Sequence, residues 1–205
     1  MNEKEIAGII NKEGYHILKN YMSKDKCKII ISNIKKCKKF DKGEGNDLRQ
    51  PFYEKFCQES KKFLNDNFLL EIGNYVLGHK ADRRTKRCQL GILKYKGKQE
   101  CSGGGWHVDN HNPQYKAILY LTDVNENNGP FSILSPPVKS SVVEPITKER
   151  NTRFSDKSVE ENFKDRIKFL TGQIGDVILV NTTYIHRGTI IKKGERLSLT
   201  NYYYD

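Results

Sequence analysis

Apolar positions follow two rhythms along this chain. Up to about residue 78 they fall at mixed helical spacing, and from residue 86 onward in short runs broken by Gly, Pro and Asn. Residues 5–22 read as a short helix and then a strand. Ser23-Lys24-Asp25-Lys26 can cap a second helix carrying Ile29, Ile30, Ile31 and Ile34. Residues 40–50 are polar and contain glycine, which predicts a loop. Residues 51–78, with Phe52, Phe56, Phe63, Leu64, Phe68, Leu69 and Leu70, predict helix to about Tyr75. Candidate strands come next, at 89–95, 115–124, 130–135, 139–144, 172–181, 185–190 and 196–204. In the first of these, Gln89, Gly91, Leu93 and Tyr95 share one face. The stretch 145–170 interrupts the series. There Ser158 and Glu161 form an S-x-x-E capping box, which predicts a helix near 158–169. Many short strands with such turns predict a mainly β fold, a sandwich or jelly roll with helices packed outside. Neither a repeat nor a linker is visible. One domain over 1–205 is expected, with 1–80 as N-terminal support, 86–205 as the jelly-roll core and 145–170 as an insertion.

Composition narrows the class. A chain of 205 residues can bury one core. It contains no apolar run approaching the ~20 residues of a membrane helix. Met1-Asn2-Glu3-Lys4-Glu5 lacks the apolar stretch of a signal peptide. Cys27, Cys37, Cys57, Cys88 and Cys101 are odd in number and show no CxxC spacing, so reduced thiols and a cytoplasmic location are expected. The net charge is +11. Basic residues are scattered, at Lys35, Lys36, Lys38 and Lys39, at Arg83, Arg84, Lys86 and Arg87, and at Lys192 and Lys193. Alongside abundant Asn and Ile this reads first as a compositionally biased, solvated surface. An anionic partner, nucleic acid or a small anionic substrate, is the alternative. The oligomeric state is not legible.

The chemistry concentrates in His107-Val108-Asp109, His186 and Arg196. Two imidazoles and a carboxylate can hold a divalent metal on one face and leave the other open, the pattern of non-haem Fe(II) oxygenases. On an extended segment His107 and Asp109 point the same way. His186 lies far downstream, so tertiary folding must close the set. Taken alone, an H-x-D pair reads more simply as a surface pair on a hairpin. The Gly-rich lead-in and the second histidine beside a strand are what raise it above that.

In order, the chain presents Gly103-Gly104-Gly105-Trp106-His107-Val108-Asp109, the strand from Ala117 to Val124, the turn Asn128-Gly129-Pro130-Phe131, the segment Gly175-Asp176-Val177-Ile178-Leu179-Val180, Ile185-His186-Arg187-Gly188, and Arg196-Leu197-Ser198-Leu199-Thr200-Asn201-Tyr202. Together with Glu13-Gly14-Tyr15-His16-Ile17-Leu18 near the start, this resembles the phytanoyl-CoA dioxygenase-like branch of the Fe(II)/2-oxoglutarate oxygenases over nearly the whole chain. The resemblance implies a double-stranded β-helix, a jelly roll of the cupin type. It implies Fe(II) held by His107, Asp109 and His186, with 2-oxoglutarate as co-substrate and molecular oxygen as oxidant. Arg196 would bind the distal carboxylate of 2-oxoglutarate through its planar fork, with Ser198 assisting. Gln89 would touch the co-substrate. The expected activity is hydroxylation of a small metabolite or biosynthetic intermediate, with release of succinate and CO2.

Several departures and open positions matter. The family more often has one residue more between its last histidine and this arginine. Ser135-Pro136-Pro137 stands where a Pro-Gly-Ser-His segment is common. Nucleic-acid demethylases typically carry a second arginine six residues after the first, and here that position is Tyr202, which argues against base repair. Asp109 argues against a halogenase. Lys116 either sits on the outer face or reaches the co-substrate. Trp106 is expected to pack beside the metal strand, and His111 to be an exposed turn residue. His16 and His79 are expected to be structural or solvent-facing. Residues 145–170, with Arg153 as anionic contact, are expected to close over the mouth. A nucleic-acid- or protein-modifying oxygenase, and a metal-binding jelly roll without turnover, remain as the competing classes.

Overall fold

The computed structural model describes residues 1–79, 87–109, 113–147 and 152–204. Twelve strands are found among them: β1 Tyr15–Leu18, β2 Asp41–Lys42, β3 Leu48–Pro51, β4 Arg87–Lys94, β5 Trp106–His107, β6 Gln114–Tyr120, β7 Phe131–Leu134, β8 Arg153–Phe154, β9 Ile167–Leu170, β10 Val177–Asn181, β11 His186–Gly188 and β12 Glu195–Tyr204. Six α-helices accompany them: α1 Glu3–Glu13, α2 Lys24–Ser32, α3 Gln58–Leu64, α4 Asn67–Leu77, α5 Ser140–Thr147 and α6 Asp156–Phe163.

The strands form two antiparallel sheets. The larger has the order β1-β10-β6-β12-β4-β3-β2 and the smaller β8-β5-β11-β7-β9. This is the expected mainly β jelly roll with flanking helices. The two-residue period of each central strand sorts its side chains. On β6, Tyr115, Ala117 and Leu119 join the core under the helices, while Ile118 and Tyr120 face the smaller sheet. On β10, Val177 and Leu179 turn to the helices and Ile178 and Val180 inward. On β12, Leu197, Leu199 and Tyr203 pack outward, which leaves Arg196, Ser198, Thr200 and Tyr202 on the inner face. Helices α1, α3 and α4 cover the outer face with Ile6, Ile10, Phe63, Leu69 and Ile72. A separate cluster of Trp106, Leu134, Val138, Val143, Phe154, Val159 and Phe163 seats α5 and α6 against the smaller sheet.

The helix caps obey the local sequence. Asn2 and Glu5 form a reciprocal capping box on α1, which ends at Gly14 with φ 86°. Asp66 accepts from the Phe68 and Leu69 amides at the start of α4. Ser23 caps α2 as expected.

Four local expectations are corrected. Residues 40–50 hold the short strands β2 and β3, which extend the larger sheet beyond β4. The span 51–78 is not one helix. Phe52 adopts φ 55° and breaks it, and α3 and α4 are separate. The segment 139–144 is helical at α5 instead of extended, with Val143 fully buried. The helix placed at 158–169 runs from 156 to 163, capped by Ser155, whose Oγ accepts from the Ser158 amide. Beyond this helix the chain enters β9, paired with β7. All five cysteines are free. Among the described residues no helix is long and apolar enough to cross a membrane.

One buried carboxylate ties the sheet ends together. Asp176, 1% exposed, accepts from the Asn20 amide, the Gln173 amide and Lys19 Nζ, each at 2.9 Å. Burial works to raise its pKa, but these hydrogen bonds outweigh it and hold the carboxyl below its ordinary value. A depressed folded-state pKa gives stability that is complete above the unfolded value of about 3.9 and fades as pH falls through the folded one. Asp176→Ala strands two backbone donors and is expected to lower stability by roughly 2–3 kcal/mol in denaturant titrations at neutral pH. The gap between wild type and variant should narrow as pH falls from the unfolded value through the lower folded one. A gap that persists there would assign the effect to packing instead of charge.

Candidate metal centre

His107 closes β5 and His186 opens β11, and the two residues pair directly across the smaller sheet. Their ring centroids lie 4.4 Å apart. Asp109 comes two residues later, beyond the end of β5. Its segment is held by the Val108 amide on Thr152 O at 2.9 Å and the Asp109 amide on Thr182 O at 3.1 Å. The Asp109 carboxylate then reaches both imidazoles, with His107 Nε2 3.7 Å from Oδ1 and His186 Nε2 3.5 Å from Oδ2. One ligand atom from each of the three lies within 4.8 Å of the other two. Three side chains from two segments far apart in sequence thus converge on one point.

Hydrogen bonding fixes which nitrogens face that point. His107 Nδ1 is 2.7 Å from Gly105 O, and His186 Nδ1 is 2.9 Å from Tyr184 O. A carbonyl only accepts, so each Nδ1 carries a proton and each ring turns its Nε2 to the point. Burial is the main cause that pushes the His186 pKa down, to about 3, with His107 adding to it. His186 is therefore neutral at physiological pH. Phe131 stacks on it at 5.1 Å. Burial would raise the Asp109 carboxyl, but Lys116 first, then His186 and His107, hold it well below the usual carboxylate range. Two imidazoles turning Nε2 to one point beside an ionised carboxylate are a donor set suited to a divalent transition metal.

The Gly-rich lead-in has a steric reason. Gly103, Gly104 and Gly105 all have positive φ. A Cβ on Gly103 would stand 2.9 Å from His107 Cε1. Arg153 on β8 pins this loop from the other side, donating to Gly103 O at 2.9 Å and pairing with Glu44. Gly103→Ala should therefore displace the His107 ring as well as straining the backbone by ~1–2 kcal/mol. We expect about tenfold weaker divalent-metal uptake in this variant, read by competition with a chromophoric chelator. Unchanged affinity would show that the ring can move without loss.

The triad opens into a cavity of about 500 Å³ between the sheets, a size usual for small-ligand sites. Arg196, Ser198 and Gln89 all line it. Arg196 is 7% exposed. Its Nη1 donates to Gly129 O, and its buried Nε has no hydrogen-bond partner. Among the described residues no carboxylate is within ion-pair distance of it. A buried guanidinium in this state is suited to a carboxylate ligand. Ser198, two residues along the same face, stands opposite Gly91 on one side and Tyr120 on the other. Gln89 is also at the cavity wall, but its Nε2 donates to Tyr202 Oη at 3.1 Å.

Lys116 turns inward. It is 8% exposed, with Nζ 2.5 Å from Asp109 Oδ2 and 4.8 Å from the centre of the Tyr202 ring. Its contact is the triad carboxylate. The signal for this was available, as a lone charge within the otherwise apolar run of β6. Trp106 packs as expected, 2% exposed beneath Arg187, whose Nη1 bonds Asp156 on α6 at 2.6 Å. Arg153 is engaged with Glu44 and the glycine loop. His16, on β1, and His79, after α4, are both half-buried, and His111 lies outside the described residues.

No protein-family model matches the sequence, and no curated protein matches it. Solved structures do match in fold. HygX from Streptomyces hygroscopicus, with nickel and 2-oxoglutarate bound, aligns over 98% of this chain and 86% of its own, at 16% identity and a TM-score of 0.70. SnoN, a non-haem α-ketoglutarate-dependent epimerase from nogalamycin biosynthesis, aligns over 99% of this chain and 83% of its own, at 11% identity and a TM-score of 0.69. A prolyl-4-hydroxylase from Pseudomonas putida aligns over 98% of both chains, at 13% identity and a TM-score of 0.65. The architecture is the jelly-roll fold of the 2-oxoglutarate oxygenases.

Proposed function

We propose that this chain is a non-haem Fe(II)- and 2-oxoglutarate-dependent oxygenase. The observation that carries the reading is the convergence of His107, Asp109 and His186 on one open point of a cavity that also holds an uncompensated, buried Arg196. The residues fit both groups. His107 and His186 would supply Nε2, Asp109 a carboxylate oxygen, and Arg196 with Ser198 the site for the distal carboxylate of 2-oxoglutarate. When bound together with oxygen, iron and 2-oxoglutarate supply an oxidant for unactivated C–H bonds, the co-substrate leaving as succinate and CO2.

The chain's own residues orient the donor set. The carbonyls of Gly105 and Tyr184 lock the two imidazoles in one tautomer. Lys116 holds Asp109 ionised and fixes one of its oxygens. Phe131 and Ile118 set apolar side chains beside the triad in a cavity otherwise lined mostly by polar groups. Within this class we place the chain nearest the phytanoyl-CoA dioxygenase-like branch, as a hydroxylase of a small metabolite or biosynthetic intermediate. Support comes from the motif order along the chain and from a neighbour described as acting in nogalamycin biosynthesis. That neighbour is an epimerase, so the outcome at carbon is proposed from the motif resemblance alone. The test is succinate release from 2-oxoglutarate by the iron-loaded chain in air, alone and with a panel of metabolites. Stimulation by one member would identify the substrate class. Absence of any turnover at full iron loading would favour a metal-binding jelly roll without catalysis.

A further inference from the structure

The inner face of β12 presents Arg196, Ser198, Thr200 and Tyr202 to the cavity in single file. Arg196 stands at one end. At the other end Tyr202 pairs across the sheet with Arg87 on β4 and with Lys116 on β6. Arg87 Cζ lies 4.7 Å and Lys116 Nζ 4.8 Å from the centre of the Tyr202 ring. At about 3.3 Å per residue the two ends are roughly 20 Å apart along the strand. A five-carbon diacid held at Arg196 does not extend to Arg87.

The charges around the cavity mostly settle into local pairs. Arg49 pairs with Asp47 at 2.8 Å, Arg153 with Glu44, and Lys116 with Asp109 at 2.5 Å. Among the described residues two cavity-lining guanidiniums are left, Arg196 and Arg87. Among the described residues neither has a carboxylate within ion-pair distance, and each has a buried Nε without a hydrogen-bond partner. Arg196 is matched by the distal carboxylate of 2-oxoglutarate. Arg87, half-buried on β4 beside the far end of β12, shares the unpartnered Nε. Beside it, Tyr202 Oη accepts from Gln89 Nε2 at 3.1 Å, which leaves the phenol O–H free to donate. A charged fork and a hydroxyl donor thus meet over one patch of the cavity wall, next to the residue that touches Asp109.

We propose that Arg87 and the Tyr202 hydroxyl form a binding site for an oxyanion, a carboxylate or a phosphate ester, carried by the substrate. That the anion belongs to a substrate rests on the oxygenase reading; the anion site itself does not. Arg87 would bind through its planar fork and Tyr202 through one O–H, with the nearby Lys116 ammonium adding to the positive field. The bound group would then lie at the triad's end of the cavity, away from Arg196.

The experiment is calorimetric titration of the full chain, first with Ni(II) and 2-oxoglutarate and then with phenyl phosphate, benzoate and the neutral control benzyl alcohol. At least one anionic probe should bind the wild type more tightly than the alcohol. Arg87→Gln should weaken it about tenfold or more, and Tyr202→Phe, which keeps the ring, by about three- to tenfold. Alcohol binding should be the same in all three proteins. The ranking of phenyl phosphate against benzoate tells the two anion chemistries apart. Failure of both anions to bind the wild type, or equal binding to wild type and both variants, overturns the site. If nickel and 2-oxoglutarate do not bind but an anionic probe binds in an Arg87-dependent way, the anion site stands and the oxygenase reading falls. The converse pattern overturns the anion site alone.

Discussion

Replacing His107, Asp109 or His186 by alanine is expected to abolish tight divalent-metal uptake, weakening it by at least about a hundredfold. Changes to residues that merely orient ligands already cost roughly ten- to a hundredfold, and these three are the ligands themselves. Two remaining donors cannot make the three-point face that leaves the opposite side open. The variants differ in their side effects. His186 is 2% exposed and stacked against Phe131, so its removal also opens a small cavity in the core. Asp109→Ala leaves the Lys116 ammonium without its partner and should lower stability as well. Asp109→Asn keeps the shape, loses the charge and isolates the effect on the metal. The check is metal stoichiometry by atomic emission after dialysis at matched free metal, alongside a thermal melt. A variant that retains one tightly bound equivalent removes that residue from the ligand set.

Arg196→Ala is expected to raise the apparent dissociation constant for 2-oxoglutarate by one to two powers of ten while metal binding survives. Hydrogen bonds to a charged group typically contribute ~1.5–3 kcal/mol. Gly129 O already holds one arm of this guanidinium, so it is aimed before any ligand arrives. Arg196→Lys keeps the charge but loses the planar fork and should be intermediate, not silent. Lys192 and Lys193 sit exposed at the tip of the turn before β12, with backbone amides on Asn127 O. Lys193→Ala should therefore bind 2-oxoglutarate as wild type does. Titration of the co-substrate into the metal-loaded proteins gives the comparison. Normal affinity in Arg196→Ala with loss in Lys193→Ala would move the anchor to the turn.

Much of the fold and of the site was legible because strand alternation is a strong signal. The outward Leu197, Leu199 and Tyr203 set β12 in phase and so put Arg196 and Ser198 inside. The exposed turn at Lys192-Lys193-Gly194 delivers Arg196 in that phase. Short elements were not legible. β2 has two residues in a polar, glycine-containing stretch, too few to show a period. The Val-Val pair of α5, followed by Pro145, reads locally like a strand, and its helix forms where Val143 packs into the cluster behind the smaller sheet. Lys116 was ambiguous because charge argues for solvent while its neighbours on β6 are buried on both faces. Its partner, Asp109, comes close only through the fold. Arg87 was one of a scattered group of cations, and the row it makes with Tyr202 exists only in the register of β4 against β12.

The most direct test of the central claim is an anaerobic titration of 2-oxoglutarate into the wild-type chain with and without one equivalent of Fe(II). Chelation by a metal held at His107, Asp109 and His186, with the far carboxylate at Arg196, predicts one equivalent of 2-oxoglutarate bound in the presence of iron and at least about tenfold weaker binding in its absence. Equal affinity with and without iron, or no binding despite a stoichiometric metal, would contradict it.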